Sequence, residues 1–183
     1  MGKKEKKIEE IYSLVGRTHR ACQLFEYKLA EVLYEWRIHS CPQKPLEPIK
    51  AIEEINKIHK STFDNTVLGR KITKLQNEGI FKEDIIELLK KFKDHRNNFI
   101  HDFHYDYGIE LMLIEGNFEK GTFKKERIKA AYCKLKKDLN EIIHNMEKAV
   151  NLCKKITNAI RRLGEQGRLG SGLCGKCLGS ELH

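Results

Sequence analysis

The sequence predicts an all-α protein: an up-and-down helical bundle of two long antiparallel helices with shorter ones packed between them. Three observations carry this expectation. Apolar residues recur at alternating steps of three and four over most of the chain, as helices with one buried stripe require. All three prolines fall within residues 42–48, leaving the rest uninterrupted. No two segments show the alternation and turn residues of a strand pair.

The first helix is read from Ile8, Ile11, Val15, Thr18, Cys22, Phe25, Leu29, Val32 and Trp36. It ends near Ser40, before Pro42, Pro45 and Pro48. A second helix covers about Ile49 to His59. A third begins near Asp64 and stops before Asn77-Glu78-Gly79, a helix-ending sequence. The fourth carries Ile85, Ile86, Leu88, Leu89 and Phe92 through Asp94-His95-Arg96 as far as His104. Tyr107-Gly108 and Glu115-Gly116-Asn117 are expected to be loop, with Ile109–Ile114 a possible short extended piece. The last helix follows Ile128, Tyr132, Leu135, Leu139, Ile142, Met146, Val150, Cys153, Ile156 and Ile160.

At 183 residues the chain is sized for one helical domain, residues 1–163, followed by a flexible tail, residues 164–183. Six of the 13 glycines lie in the final 20 residues. Cys174 and Cys177 have the spacing of half a zinc site, but no second ligand pair accompanies them, so no metal is expected. The lysine-rich start leads straight into an amphipathic pattern rather than an apolar run, and no stretch approaches the roughly 20 apolar residues of a membrane span. A cytoplasmic protein with reduced cysteines is therefore expected, Cys22 and Cys153 serving as small hydrophobes on the helical stripes.

The net charge of +9 is concentrated in residues 124–162, which hold 12 Lys or Arg against four acids; the remainder carries 23 against 22. A basic helix face of this kind suits a polyanion such as RNA. The candidate phosphate contacts are Lys124, Lys125, Arg127, Lys129, Lys134, Lys136 and Lys137.

The chain has no phosphate-binding glycine loop, no H-E-x-x-H, no G-x-S-x-G and no carboxylate cluster spaced for magnesium. What stands out is a polar island of Asp94, His95, Arg96, Asn97, His101, Asp102 and His104, interrupted by phenylalanines. At about 100° per residue Phe92, Phe99 and Phe103 share one side of a helix, and Asn97, His101 and His104 fall nearly opposite. Arg96, five residues before His101, lies about 140° away from it on an ideal helix. Two arrangements could bring both to one site: Arg96 at a local bend or helix start, or a two-fold pairing of two copies.

The run Asp94-His95-Arg96-Asn97-Asn98-Phe99-Ile100-His101 resembles the signature of the HEPN superfamily, Arg-(x)4-6-His with a polar residue, often Asn, after the Arg. Thr66-Val67-Leu68-Gly69 resembles a T-L-G segment found upstream in some members. The resemblance covers roughly residues 8–163. It implies an all-α homodimer that brings two Arg/His pairs together and cuts RNA with no metal or other cofactor, as toxin and phage-defence members do. An antitoxin or nucleotidyltransferase partner is a further implication. In some toxin members a tyrosine two residues after the His is modified by that partner; here the position is Phe103, with Tyr105 and Tyr107 farther on. The alternative is a non-catalytic HEPN module that binds RNA, nucleotide or such a partner.

The chemistry agrees with the residue types. RNA supplies its own nucleophile, the 2′-hydroxyl, so cleavage needs a base, an acid and positive charge on the phosphorane. An imidazole serves the proton transfers, which makes His101 the candidate acid–base. Arg96 is the candidate phosphate clamp, and Asn97 an orienting group. His95 and His104 are auxiliary candidates.

Overall fold

In a computed structural model the described residues are 2–40, 48–63, 68–116 and 125–166. All of their regular structure is helical: α1 (Lys3–Ser40), α2 (Pro48–Phe63), α3 (Leu68–Asn77), α4 (Glu83–Asn97), a π-helical turn (Asn98–Asp102), α5 (Phe103–Glu115) and α6 (Lys125–Glu165). Thr66, Val67, Lys124 and the Cys174/Cys177 tail lie outside the described residues. No helix among the described residues is long and apolar enough to cross a membrane.

The stop after α3 is built as the sequence suggests. Gly79 takes the left-handed conformation, φ 64°. Its N–H donates to Gln76 O at 3.0 Å, and Ile80 N–H reaches back to Leu75 O at 3.3 Å. This pairing satisfies carbonyls that the helix end would otherwise leave open, and it seats Ile80 beside Leu75 as a fully buried pair.

The expected loop at Tyr107-Gly108 and extended piece at Ile109–Ile114 are both corrected: α5 runs unbroken from Phe103 to Glu115. Gly108 has no positive φ, and a glycine inside a helix costs only about 1 kcal/mol relative to alanine. Burying Phe103, Leu111 and Ile114 on this helix outweighs that, at roughly 1.5–3 kcal/mol per large apolar side chain. The helix ends instead at Gly116, φ 73°, whose N–H donates to Met112 O at 3.0 Å.

The described chain divides into two compact units. The first comprises Met1–Gln23 with Asp94–Glu147, the second Leu24–Lys93 with Lys148–His183. In the first unit Lys7 sits over the Tyr132 ring, Glu10 accepts from Tyr132 and pairs with Lys136 at 2.6 Å, and Tyr12 donates to Glu115. Buried Thr18 is satisfied within α1, its Oγ1 donating to Leu14 O at 2.8 Å.

In the second unit Phe25 meets Phe92 edge-on at 6.1 Å. Arg161 grips Glu35 from both Nε (2.9 Å) and Nη2 (2.5 Å), with Glu31 at 3.3 Å. The His39 ring lies against Gly164, where a Cβ would make the ring swing aside. Burial pushes the Cys153 thiol up to about 12, so it is an inert packing group rather than a nucleophile.

Within each unit the partners on α1 and α6 advance together along the chain: Lys7 and Glu10 with Tyr132 and Lys136, then separately Glu35 with Arg161 and His39 with Gly164. The two helices therefore run parallel in each unit, which corrects the predicted antiparallel pair. The physical reason is that an apolar seam reads the same from either end. Direction is fixed by how many times the intervening chain reverses, which periodicity does not encode.

Candidate active site

The polar island spans the end of α4, the π turn and the start of α5, all in the first unit. The phenylalanines bury as their phase predicts: Phe99 and Phe103 are each 5% exposed, and Phe92, which belongs to the second unit, is 6% exposed. Phe99 and Phe103 pack at 5.2 Å, and Phe103 meets Tyr107 at 5.3 Å. These rings fix the rotation of the segment about its axis, and so decide which residues face outward.

His101 is exposed, as are Asp102, His104 and His95; Arg96 and Asn97 are half-buried. Arg96 Nη1 donates to Asn97 Oδ1 at 3.0 Å, an arrangement that orients the guanidinium fork. The His104 ring stands against Phe103 at 5.4 Å. The His95 ring is held from α6, Asn145 Nδ2 lying 3.1 Å from its Nδ1.

Between Arg96 and His101 the helix widens into the π turn. A turn closed by i→i+5 bonds carries fifth neighbours toward one face, whereas an α-helix turns them apart. Here the π turn begins two residues after Arg96, which itself belongs to α4, and encloses His101. Such single wide turns within α-helices occur frequently at functional sites.

The site also has a cleft of about 240 Å³ that does not include Arg96, Asn97 or His101. It lies between the motif segment (His95, Asn98, Phe99, Asp106, Tyr107) and one face of α6 (Asp138, Glu141, Ile142, Asn145). Tyr107 donates to Asp138 Oδ2 at 3.2 Å. Burial, then the charge of Asp138, pushes its hydroxyl up to about 12, so it remains a proton donor to Asp138 at any physiological pH. The contribution is present below the ordinary tyrosine value near 10 and is lost as pH rises through about 12. Tyr107→Phe is expected to cost about 1 kcal/mol at neutral pH and to remove that part of the alkaline fall in stability, as read from denaturation midpoints between pH 9 and 12.

The basic face is only partly open to a polyanion. Lys125, Arg127, Lys129, Lys134 and Lys137 are exposed and Lys136 is half-buried. Lys134 is engaged with Glu110 at 2.6 Å and Lys136 with Glu10 at 2.6 Å. Both ammoniums are held above their ordinary pKa by hydrogen bonds to those carboxylates.

Sequence reasoning missed the cleft. Its signal is there in Asp138, Glu141, Ile142 and Asn145, spaced i, i+3, i+4, i+7 on α6, but the sequence pattern puts Tyr107 in a loop, with Asp106 beside it. Among the described residues no group of three or more His, Cys, Asp or Glu could hold a metal ion. No family model, curated protein or solved structure matches the chain.

Proposed function

We propose that the chain is a HEPN-type ribonuclease, of the toxin or phage-defence kind, that cuts RNA without a metal at a site built from Arg96, Asn97 and His101. The observation that carries this is the π turn between Arg96 and His101, with His101 exposed while the flanking phenylalanines are buried. A motif serving packing alone needs neither a widened turn nor an open imidazole.

In this reading a two-fold dimer supplies two imidazoles. One His101 takes the proton of the 2′-hydroxyl as its oxygen bonds to phosphorus. The other protonates the 5′-oxygen as the P–O5′ bond breaks, leaving a 2′,3′-cyclic phosphate and a 5′-hydroxyl. Arg96, aligned by Asn97, stabilises the charge that builds on the phosphorane. The phosphates alongside fall to Lys125, Arg127, Lys129 and Lys137, with Lys134 and Lys136 weaker contributors because of their carboxylate partners.

A dimer also fits the surface that follows the motif. Tyr105, Ile109 and Met112 on α5 are 91%, 69% and 50% exposed at i, i+4, i+7, an apolar stripe beginning four residues after His101. Covering it with a second copy would bring the two His101 side chains near one another. Light scattering at micromolar concentration is expected to give twice the chain mass, and Ile109→Lys to give a monomer that no longer cuts RNA. A monomeric wild-type protein that cuts at full rate would contradict the two-copy site.

A further inference from the structure

The cleft beside the motif is unused by the cleavage chemistry, and its lining says what it can hold. Asp106, Asp138 and Glu141 repel a phosphate, so the occupant is not the RNA backbone. Ionised carboxylates only accept hydrogen bonds, so the occupant must donate. The Asn98 amide adds donors and an acceptor, and Asn145, whose Nδ2 also lies 3.1 Å from His95 Nδ1, adds its carbonyl and its second N–H, a set suited to the edge of a planar heterocycle. Phe99 and Ile142 supply apolar surface for a flat ring. A volume of about 240 Å³ is below the roughly 300–1,000 Å³ of pockets for drug-sized ligands, and it suits a single ring system.

We propose that this cleft is a nucleobase pocket that takes one unstacked base carrying an exocyclic amino group, adenine, cytosine or guanine, and disfavours uracil. Assigning that base to an RNA substrate rests on the nuclease reading above; the chemistry of the pocket does not. His95 and Asn98 flank Arg96 and Asn97 in the chain, so a base seated here belongs to a nucleotide at or next to the scissile phosphate. Single-stranded RNA is commonly read in this way, by splayed bases held on their hydrogen-bonding edges. Cytosine and uracil separate the idea: cytosine presents a 4-amino group with two N–H donors, enough for two carboxylates, whereas uracil presents a single N3–H flanked by carbonyls that would face carboxylate oxygens.

The test titrates the full-length 15N-labelled protein with cytidine and, separately, uridine, following the side-chain amide resonances of Asn98 and Asn145. Cytidine is expected to shift both and to bind at least about tenfold more tightly than uridine, in line with the discrimination of one well-made base contact. Glu141→Gln and Asp106→Asn, both isosteric changes at exposed positions, should each reduce that preference to less than about threefold while leaving the fold intact. Equal shifts with uridine, shifts confined to other residues, or a preference unchanged in both variants would overturn the pocket. Nucleosides have no scissile phosphate, so the two proposals fail separately. Cytidine binding by a protein that leaves RNA intact keeps the pocket and removes the nuclease. RNA cleavage without nucleoside binding keeps the nuclease and removes the pocket.

Discussion

Replacing His101 by alanine is expected to lower the rate of RNA cleavage by about 10²–10⁴-fold, the usual worth of a positioned acid–base group, with stability changed by no more than about 0.5 kcal/mol. The side chain is exposed, so its removal opens no cavity. Arg96→Ala is expected to abolish cleavage to a similar degree. Its cost in stability should be larger, about 1 kcal/mol, because Arg96 is half-buried and donates to Asn97. Both variants should still hold RNA with an affinity that falls as salt rises, since the contacts from α6 remain. Parallel measurements of cleavage rate, thermal midpoint and binding at two salt concentrations check all of this. Cleavage at the wild-type rate in either variant would remove that residue from the mechanism.

Phe99→Ala is expected to destabilise the fold by about 3–5 kcal/mol. Phe99 is 5% exposed, lies inside the π turn and packs on Phe103 at 5.2 Å. The loss has a second consequence. Without the ring that fixes its rotation, the wide turn that carries His101 loses its orientation, so on the nuclease reading cleavage should fall even where the variant remains folded. Chemical denaturation gives the first effect, and cleavage at low temperature, where the folded fraction is high, gives the second. A loss below about 1 kcal/mol would mean that the turn is held by something other than this aromatic packing.

Much of the fold was legible because helices advertise themselves through periodicity. The seams of α1 and α6 were visible residue by residue, from Ile11, Cys22 and Leu29 to Leu139, Cys153 and Ile160, all of them buried. The stop at Gly79 was visible because few residues adopt its left-handed backbone readily. Gly108 misled because glycine permits a break without imposing one, and the burial of Leu111 and Ile114 decides for helix. The parallel course of α1 and α6 was not legible, since partners such as Glu10 with Lys136 and Glu35 with Arg161 are 126 residues apart and no local pattern links them.

At the site, the phase of the phenylalanines and the exposure of His101 followed from 100° geometry. The π turn at Asn98–Asp102 carries no signature in the spacing of apolar residues, which reads as one continuous helix through His104. The acidic cleft depends on the motif segment, His95 to Tyr107, meeting α6, and so lay beyond what spacing along one helix can reveal.

The most direct test incubates the purified protein with total RNA in EDTA, beside the His101→Ala variant prepared in the same way. The wild-type protein is expected to cut the RNA, leaving 2′,3′-cyclic phosphate and 5′-hydroxyl ends, and the variant to leave it intact. Intact RNA with folded, dimeric wild-type protein, or cleavage that stops when divalent metal is removed, would contradict it.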